Sequence, residues 1–395
     1  MESNSSVLSD IAYITVEIPT HIYPILGFLS ELEAQGIGFD VYGPKSIMQS
    51  VIGKMGTNQF GFEEVEDRKT GGLFESIYQR FLKIVPLIEA TWEENNKKPQ
   101  LIIADVFATY AKYLAKKHNI PLLVFHSNYF AAQLADMNLR EMFADIARMK
   151  RDESLIPLQK VVEEKYGMPL ECVQDIAIEG DRNFSCIPEF LGDPITLKQE
   201  GFSYIGPAFR DERQSDRFDI DPEFIKDNSL IYVSLGVFPL NKSGYTSYEA
   251  IIDALGDTEH KVLISAAMGK AEELIARGLP KNIVVKSWVP QMQVLKHSKL
   301  FISHVGAGGF MEAMLNGVPI VAVPNYGDQL VSAEMIERLN VGRQLKDKSA
   351  EGVKKLVEEV LQDGEIRVNC EKYKGMIDPK ASKSRFIEIV NSMIN

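Results

Sequence analysis

The chain has 395 residues, 45% hydrophobic and 25% charged, with a formal net charge of −12. At about 100–200 residues per domain, this length points to two domains, each large enough to bury its own core. An acidic chain lacks the clustered Lys and Arg that binding to nucleic acid or an anionic membrane requires, although a helix N-terminus can still hold a small phosphate ligand.

Cys172, Cys186 and Cys370 are an odd, widely spaced set without a CxxC pair, which argues against a disulfide framework or a zinc site. The start, Met1 to Asp10, is polar and lacks a basic leader, and the short apolar run after it reads as a strand. No stretch approaches the ~20 apolar residues of a membrane span. The expected location is the cytoplasm, without stable membrane insertion.

Strands and helices then alternate. Ile11–Ile18 is apolar and β-branched, and a helix follows from about Pro24 with Leu26, Leu29, Leu32 and Ala34 along it. Phe39–Tyr42 is a strand ended by Gly43-Pro44, and Leu101–Ala104 a buried strand leading to a helix that ends near His118. Pro121–Phe125 is the next strand, and such alternation dictates a parallel sheet buried on both faces. Residues 131–175 break the rhythm. Leu134, Met137, Met142, Ile146 and Met149 sit at roughly helical spacing there, in an insert suited to walling an apolar pocket.

Arg210 to Asp221 carries eight charged residues in twelve and reads as a linker. Beyond it the pattern resumes, with strands at Leu230–Ser234, Lys261–Ser265, Ile283–Lys286, Leu300–Ser303 and Val318–Val323. The expected organisation is an N-terminal domain over 1–205, a C-terminal domain over 206–380, and a last helix within 381–395 crossing back to the first. Both domains are doubly wound α/β, and ligands bind beyond the carboxyl ends of such strands, so the site is expected in a cleft between them.

The densest chemistry lies at 287–329. Ser287-Trp288-Val289-Pro290-Gln291 precedes a strand, and Ser303-His304-Val305-Gly306-Ala307-Gly308-Gly309 follows it into a helix carrying Glu312. Pro324 to Gln329 then ends in Asp328-Gln329. Bare backbone N–H groups at a helix start form an anion site, and glycine lets a diphosphate approach closely. Trp288 offers an aromatic platform, Glu312 a carboxylate for ribose hydroxyls, and Asp328-Gln329 partners for sugar hydroxyls.

This segment resembles the donor-binding signature of the family 1 UDP-dependent glycosyltransferases of the GT-B fold, the macrolide and plant types. The resemblance implies that Trp288 stacks on uracil and Gln291 contacts the uridine. It also implies that His304 reaches the diphosphate, Glu312 the ribose, and Asp328 and Gln329 the transferred sugar. Val289, Ser234, Gly236, Gly306, Gly308 and Gly309 complete the implied donor set. The sequence departs from the pattern in three places: Val305 inside the His-x-Gly turn, Gly309 where a Ser or Thr is usual, and Val237 after Val233-Ser234-Leu235-Gly236. Two hydroxyl donors to phosphate are thereby absent, each worth about 1.5–3 kcal/mol.

In the first half, Pro19-Thr20-His21-Ile22-Tyr23-Pro24 matches the family's His-x-x-Pro turn, which implies that His21 is the general base. Asp105, ending a strand, matches its carboxylate partner. A neutral imidazole can take the acceptor's proton, worth ~10²–10⁴-fold, while a carboxylate on the far nitrogen fixes its tautomer. His126, Tyr23 and Phe107 are candidates for the acceptor pocket, and His118, His260 and His297 read as solvated.

The implied reaction is inverting, metal-independent transfer of a hexose, glucose first, from a UDP-sugar to a hydroxyl of a small apolar acceptor such as a phenol, flavonoid, macrolide or lipid. No cofactor or metal is expected. Two rival readings are a non-catalytic sugar-nucleotide or lipophile binder on the same fold and a sterol or lipid glycosyltransferase. Asp219-Ile220-Asp221 resembles a metal-binding DxD but lies in the charged linker, and Met268-Gly269-Lys270 lacks the earlier glycine of a P-loop.

Overall fold

Short apolar strands, covered on both faces, set the architecture. The computed structural model describes residues 8–63, 72–127, 156–167, 178–192, 196–208, 220–225, 229–236, 248–325 and 328–394. The helical reading of Leu134 to Met149 lies outside them, as do Cys172, Asp219 and Val237; within the insert, Ile156–Tyr166 is a helix. The contacts divide the chain into two units, one formed by Met1–Asp211 with Asp378–Asn395 and the other by Glu212–Ile377.

In the first unit, β1 (Ile11–Ile14), β2 (Phe39–Pro44), β3 (Asn58–Phe62), β4 (Leu101–Asp105), β5 (Leu122–His126), β6 (Arg182–Ser185) and β7 (Phe202–Tyr204) form one sheet in the order β3-β2-β1-β4-β5-β6-β7. Every described pairing in it is parallel. Alternate residues point to opposite faces. Ala12, Ile102, Ala104, Leu122 and Val124 therefore enter one core, and Ile11, Tyr13, Ile103, Leu123 and Phe125 the other.

Helices cover both faces. They are α1 (Pro19–Ile22), α2 (Leu26–Ala34), α3 (Gly72–Glu94), α4 (Thr109–His118) and α5 (Ile156–Tyr166). α4 ends where Asn119 turns left-handed at φ 53, with Lys116, Lys117 and His118 complementing its negative end.

In the second unit, β8 (Leu230–Ser234), β9 (Lys261–Ser265), β10 (Ile283–Lys286), β11 (Ser298–Ser303), β12 (Ile320–Ala322) and β13 (Gly342–Gln344) form a parallel sheet in the order β10-β9-β8-β11-β12-β13. Its helices are α6 (Tyr248–Leu255), α7 (Met268–Ala276), α8 (Gln291–Lys296), α9 (Ala307–Asn316), α10 (Asp328–Arg338), α11 (Ala350–Gln362) and α12 (Gly364–Lys374). The last helix, α13 (Pro379–Ile394), belongs to the first unit. Among the described residues, no helix is long and apolar enough to cross a membrane.

Asp378 starts α13 by accepting from the backbone N–H groups of Lys380 at 2.9 Å and Ala381 at 3.1 Å. Phe386 then enters the first unit's core fully buried, its ring 5.2 Å from those of both Phe28 and Phe184. Truncating a buried aromatic costs about 3–5 kcal/mol. Phe386→Ala is therefore expected to bring unfolding of the first unit to markedly lower urea. Fluorescence of Trp92, buried in that unit, checks this, and an unchanged midpoint would show that α13 contributes nothing to the core.

Candidate functional site

Both sheets share one winding pattern. From β1 the chain steps outward to β2 and β3, then returns to the other side of β1 to add β4 onward; β8, β9, β10 and β11 repeat this. At such a reversal the flanking connections diverge and leave a crevice beyond the carboxyl ends of two neighbouring strands. His21 and Asp105 lie at β1/β4, and Ser234, Gly236 and His304 at β8/β11.

At β1/β4, α1 follows β1 and carries His21, while Asp105 ends β4. His21 Nδ1 lies 3.1 Å from Asp105 Oδ2, with side chains 11% and 1% exposed. The second oxygen, Oδ1, accepts the Phe107 backbone N–H at 2.9 Å. A carboxylate buried this deeply is tolerable because both oxygens are engaged. The Phe107 ring packs 4.9 Å from the His21 ring and limits its rotation. A carboxylate on Nδ1 sets the imidazole tautomer in which Nε2 is the basic nitrogen.

The other first-unit candidates separate. Tyr23 is 52% exposed. His126 does not line a surface: it is 2% exposed, with Nε2 3.4 Å from Asn183 Oδ1 and its ring 5.1 Å from Phe202. Burial pushes its pKa down to about 4, so the ring is neutral over the physiological range, against the upward pulls of Asn183 and Asp105.

At β8/β11, the register places Ser265, Ser234 and Ser303 side by side at the carboxyl ends of β9, β8 and β11. Ser303 Oγ accepts the Val305 N–H at 3.1 Å. The His304 N–H and Nδ1 both approach the Ser234 carbonyl at 3.4 Å. Two glycines make room for the imidazole. A Cβ on Gly236, at φ 86, would meet its Cε1 at 3.2 Å, and one on Gly306 would meet its Nε2 at 3.2 Å. Burial lowers the His304 pKa, opposed by the Ser234 carbonyl and the charge of Asp328.

Val305 is fully buried at φ 54, in the left-handed region. For a β-branched residue this is strained, at a cost of order 1–3 kcal/mol. The turn it makes brings the chain into α9, whose N-cap is Gly306 without a side-chain cap. The first N–H groups of a helix have no acceptor within it, and here the Ala307 N–H reaches Asp328 Oδ2 at 3.4 Å. Around Gly309, a Cβ would stand 3.5 Å from Gln291 Nε2 and 3.9 Å from Ser303 Oγ, so a small hydroxyl side chain fits.

Trp288 is 61% exposed, an aromatic face without a core to fill, whereas Val289 beside it is buried. Gln291 and Glu312 are not independent. The Tyr232 hydroxyl donates to Gln291 Oε1 at 3.0 Å, and Gln291 Nε2 donates to Glu312 Oε2. This relay fixes the carboxamide's orientation. It was not legible from spacing, because Tyr232 sits inside a strand that reads as plain core. Desolvation pushes the Glu312 carboxyl up to about 7, against the Gln291 bond that lowers it. Gln329 is 5% exposed, and its Oε1 accepts the Asn325 N–H at 2.9 Å, so it also braces the loop after β12.

Because Glu312 holds its proton to about 7 when folded but to 4.5 as a free carboxyl, the folded chain binds more protons in that window. Stability then falls as pH rises through it. Glu312→Gln is expected to gain stability over the parent by about 1–3 kcal/mol above this window and by little below it. Thermal melts on either side check this; an equal difference at both would place the carboxyl's titration elsewhere.

Residues 223–375 match the family described as UDP-glucoronosyl and UDP-glucosyl transferase. The NDP-glycosyltransferase YjiC of Bacillus subtilis is 25% identical over 293 residues, covering 74% of this chain and 71% of its own. Among solved structures, the glycotransferase of kitacinnamycin superposes with TM-score 0.80 at 20% identity, over 98% of this chain and 100% of its own. UDP-glucose: anthocyanidin 3-O-glucosyltransferase, solved in complex with UDP, does so with TM-score 0.70 at 20% identity, over 97% and 98%. The chain is a glycosyltransferase of the GT-B fold, and its second unit carries the UDP-glucoronosyl and UDP-glucosyl transferase family module.

Proposed function

We propose that this enzyme transfers a hexose, glucose first, from a UDP-sugar to a hydroxyl of a small, largely apolar acceptor, by a single inverting displacement without a metal. The observation that carries this reading is the His21–Asp105 hydrogen bond at the β1/β4 switch point. The names of the relatives and structural neighbours support a nucleotide-sugar donor and small-molecule acceptors.

The acceptor hydroxyl gives its proton to His21 Nε2 as its oxygen attacks the anomeric carbon. The new glycosidic C–O bond forms as the bond from that carbon to the diphosphate breaks, and UDP leaves with the electron pair. Asp105, held by the Phe107 N–H, keeps the imidazole in the accepting tautomer and stabilises the imidazolium.

In the second unit the diphosphate meets the N–H groups at the start of α9 and His304. A helix terminus worth about half a positive charge, with aimed N–H donors, carries the leaving group's charge in a metal's stead. Glu312 and Gln291 take the ribose and uridine, Trp288 stacks on the base, and Asp328 and Gln329 hold the sugar. Without hydroxyls at Val237 and Gly309, backbone N–H groups and Ser234 carry more of the phosphate contact. Gly309→Ser is therefore expected to tighten UDP binding, by up to about 1.5–3 kcal/mol, in titration calorimetry.

His21→Ala is expected to lower turnover by about 10²–10⁴-fold while leaving UDP affinity unchanged. The assay is UDP release from UDP-glucose with a panel of phenols and flavonoids as acceptors. Near-normal turnover in that variant would remove His21 from the role of base, and loss of activity in excess EDTA would overturn the metal-free reading.

A further inference from the structure

At the amino end of β11, far along the strand from His304, a second cluster of titratable groups has no part in the proposed transfer. The sequence reads His260 as solvated, but it is 5% exposed. Its backbone is pinned, since Asn282 Nδ2 donates to the His260 carbonyl at 2.8 Å. Its Nε2 lies 2.9 Å from Glu358 Oε1 of α11, and its Nδ1 lies 2.9 Å from Lys299 Nζ.

Lys299 occupies an unusual place. Leu230 and Ile231 of β8 pair with Ser298 and Leu300, so Lys299 is the extra residue of a bulge. Bulges re-aim a side chain out of the strand's alternation. Here the bulge accompanies an amine set against an imidazole. Among the described residues, no carboxylate lies within ion-pairing distance of Lys299. An ammonium and an imidazolium cannot both form this hydrogen bond, because each would present only donors. The bonded pair therefore carries one proton fewer than two separate cations.

We propose that Glu358, His260 and Lys299 form a carboxylate–imidazole–amine relay that makes Lys299 a nucleophile, and that this amine is a site of covalent acylation by acyl thioesters. The Lys299 amine attacks the thioester carbonyl carbon and an amide C–N bond forms. The C–S bond breaks; the ammonium proton, passed to His260 Nδ1 before the attack, goes from the imidazolium to the leaving thiolate, and the second proton lost by the attacking nitrogen goes to solvent. Glu358 holds the imidazole through Nε2 and stabilises its charged form, the role a carboxylate plays behind any imidazole base.

The charged groups around the amine agree with this. Burial lowers the Lys299 pKa, Glu259 and Glu358 raise it, and Arg367 of α12 lowers it. Lys299 itself is only partly buried, and Glu358 is 43% exposed at its side chain, so a thioester can reach the cluster from solvent. Acylation removes the charge and the amine's basicity together.

The test is competitive labelling of the intact enzyme at near-neutral pH with limiting S-acetyl-N-acetylcysteamine, read by peptide mass spectrometry. Lys299 is expected to acetylate at least severalfold faster than the median lysine of the chain, because the imidazole beside it takes up its proton. His260→Gln is expected to bring its rate to that median while the other lysines keep theirs. Should His260→Gln fail to fold, Glu358→Gln, on the exposed side, reads the same relay. Lys299 at or below the median in the parent enzyme overturns the proposal, and so does a fast Lys299 that neither substitution slows.

Discussion

In each sheet, a parallel array that winds first one way from its central strand and then the other leaves one gap that no connection covers. In this chain the gap lies between β1 and β4 in the first unit and between β8 and β11 in the second. Right-handed crossovers make it unavoidable. The chemistry follows from what the sequence places just past those four strand ends: His21 and Asp105 in one unit, Ser234, Gly236 and the His304 turn in the other. The cores on both faces of each sheet fix these positions, because strands as apolar as Leu101–Ala104 and Leu230–Val233 cannot slide without exposing a face.

Polar groups at these ends are buried only where another group answers them. Asp105 has His21 on one oxygen and the Phe107 N–H on the other. Glu312 has Gln291, itself held by Tyr232, and still keeps a raised pKa because one bond offsets only part of its desolvation. Val305 is the opposite case, a strained backbone kept in place by Ser303 and the surrounding core. Strain at Val305 and a raised carboxyl at Glu312, within one strand-to-helix segment, are what a binding site retains at the expense of stability.

Much of this was legible in the sequence, and the remainder has physical reasons for being hidden. The central strands announced themselves as apolar runs, and the His304 turn and the His21–Asp105 pair by residue type at strand ends. The edge strands β3, β7 and β13, and β6 beside β7, did not, because they are only three to five residues long and mix polar with apolar residues. The burial of His126 and of His260 was hidden for one reason. Their environment is built by residues distant in sequence, Asn183 for the first and Lys299 and Glu358 for the second, and no local pattern encodes such burial. The Tyr232–Gln291–Glu312 relay joins three separate elements and was hidden in the same way.

The proposed reaction is a single displacement, with the His21 imidazole as base and UDP as leaving group. The anomeric configuration of the product tests it most directly. With the α-linked donor UDP-glucose and a phenolic acceptor, proton NMR of the fresh product should show the large anomeric coupling of a β-glucoside. An α-glucoside would mean retention, and would contradict the one-step mechanism and the role assigned to His21.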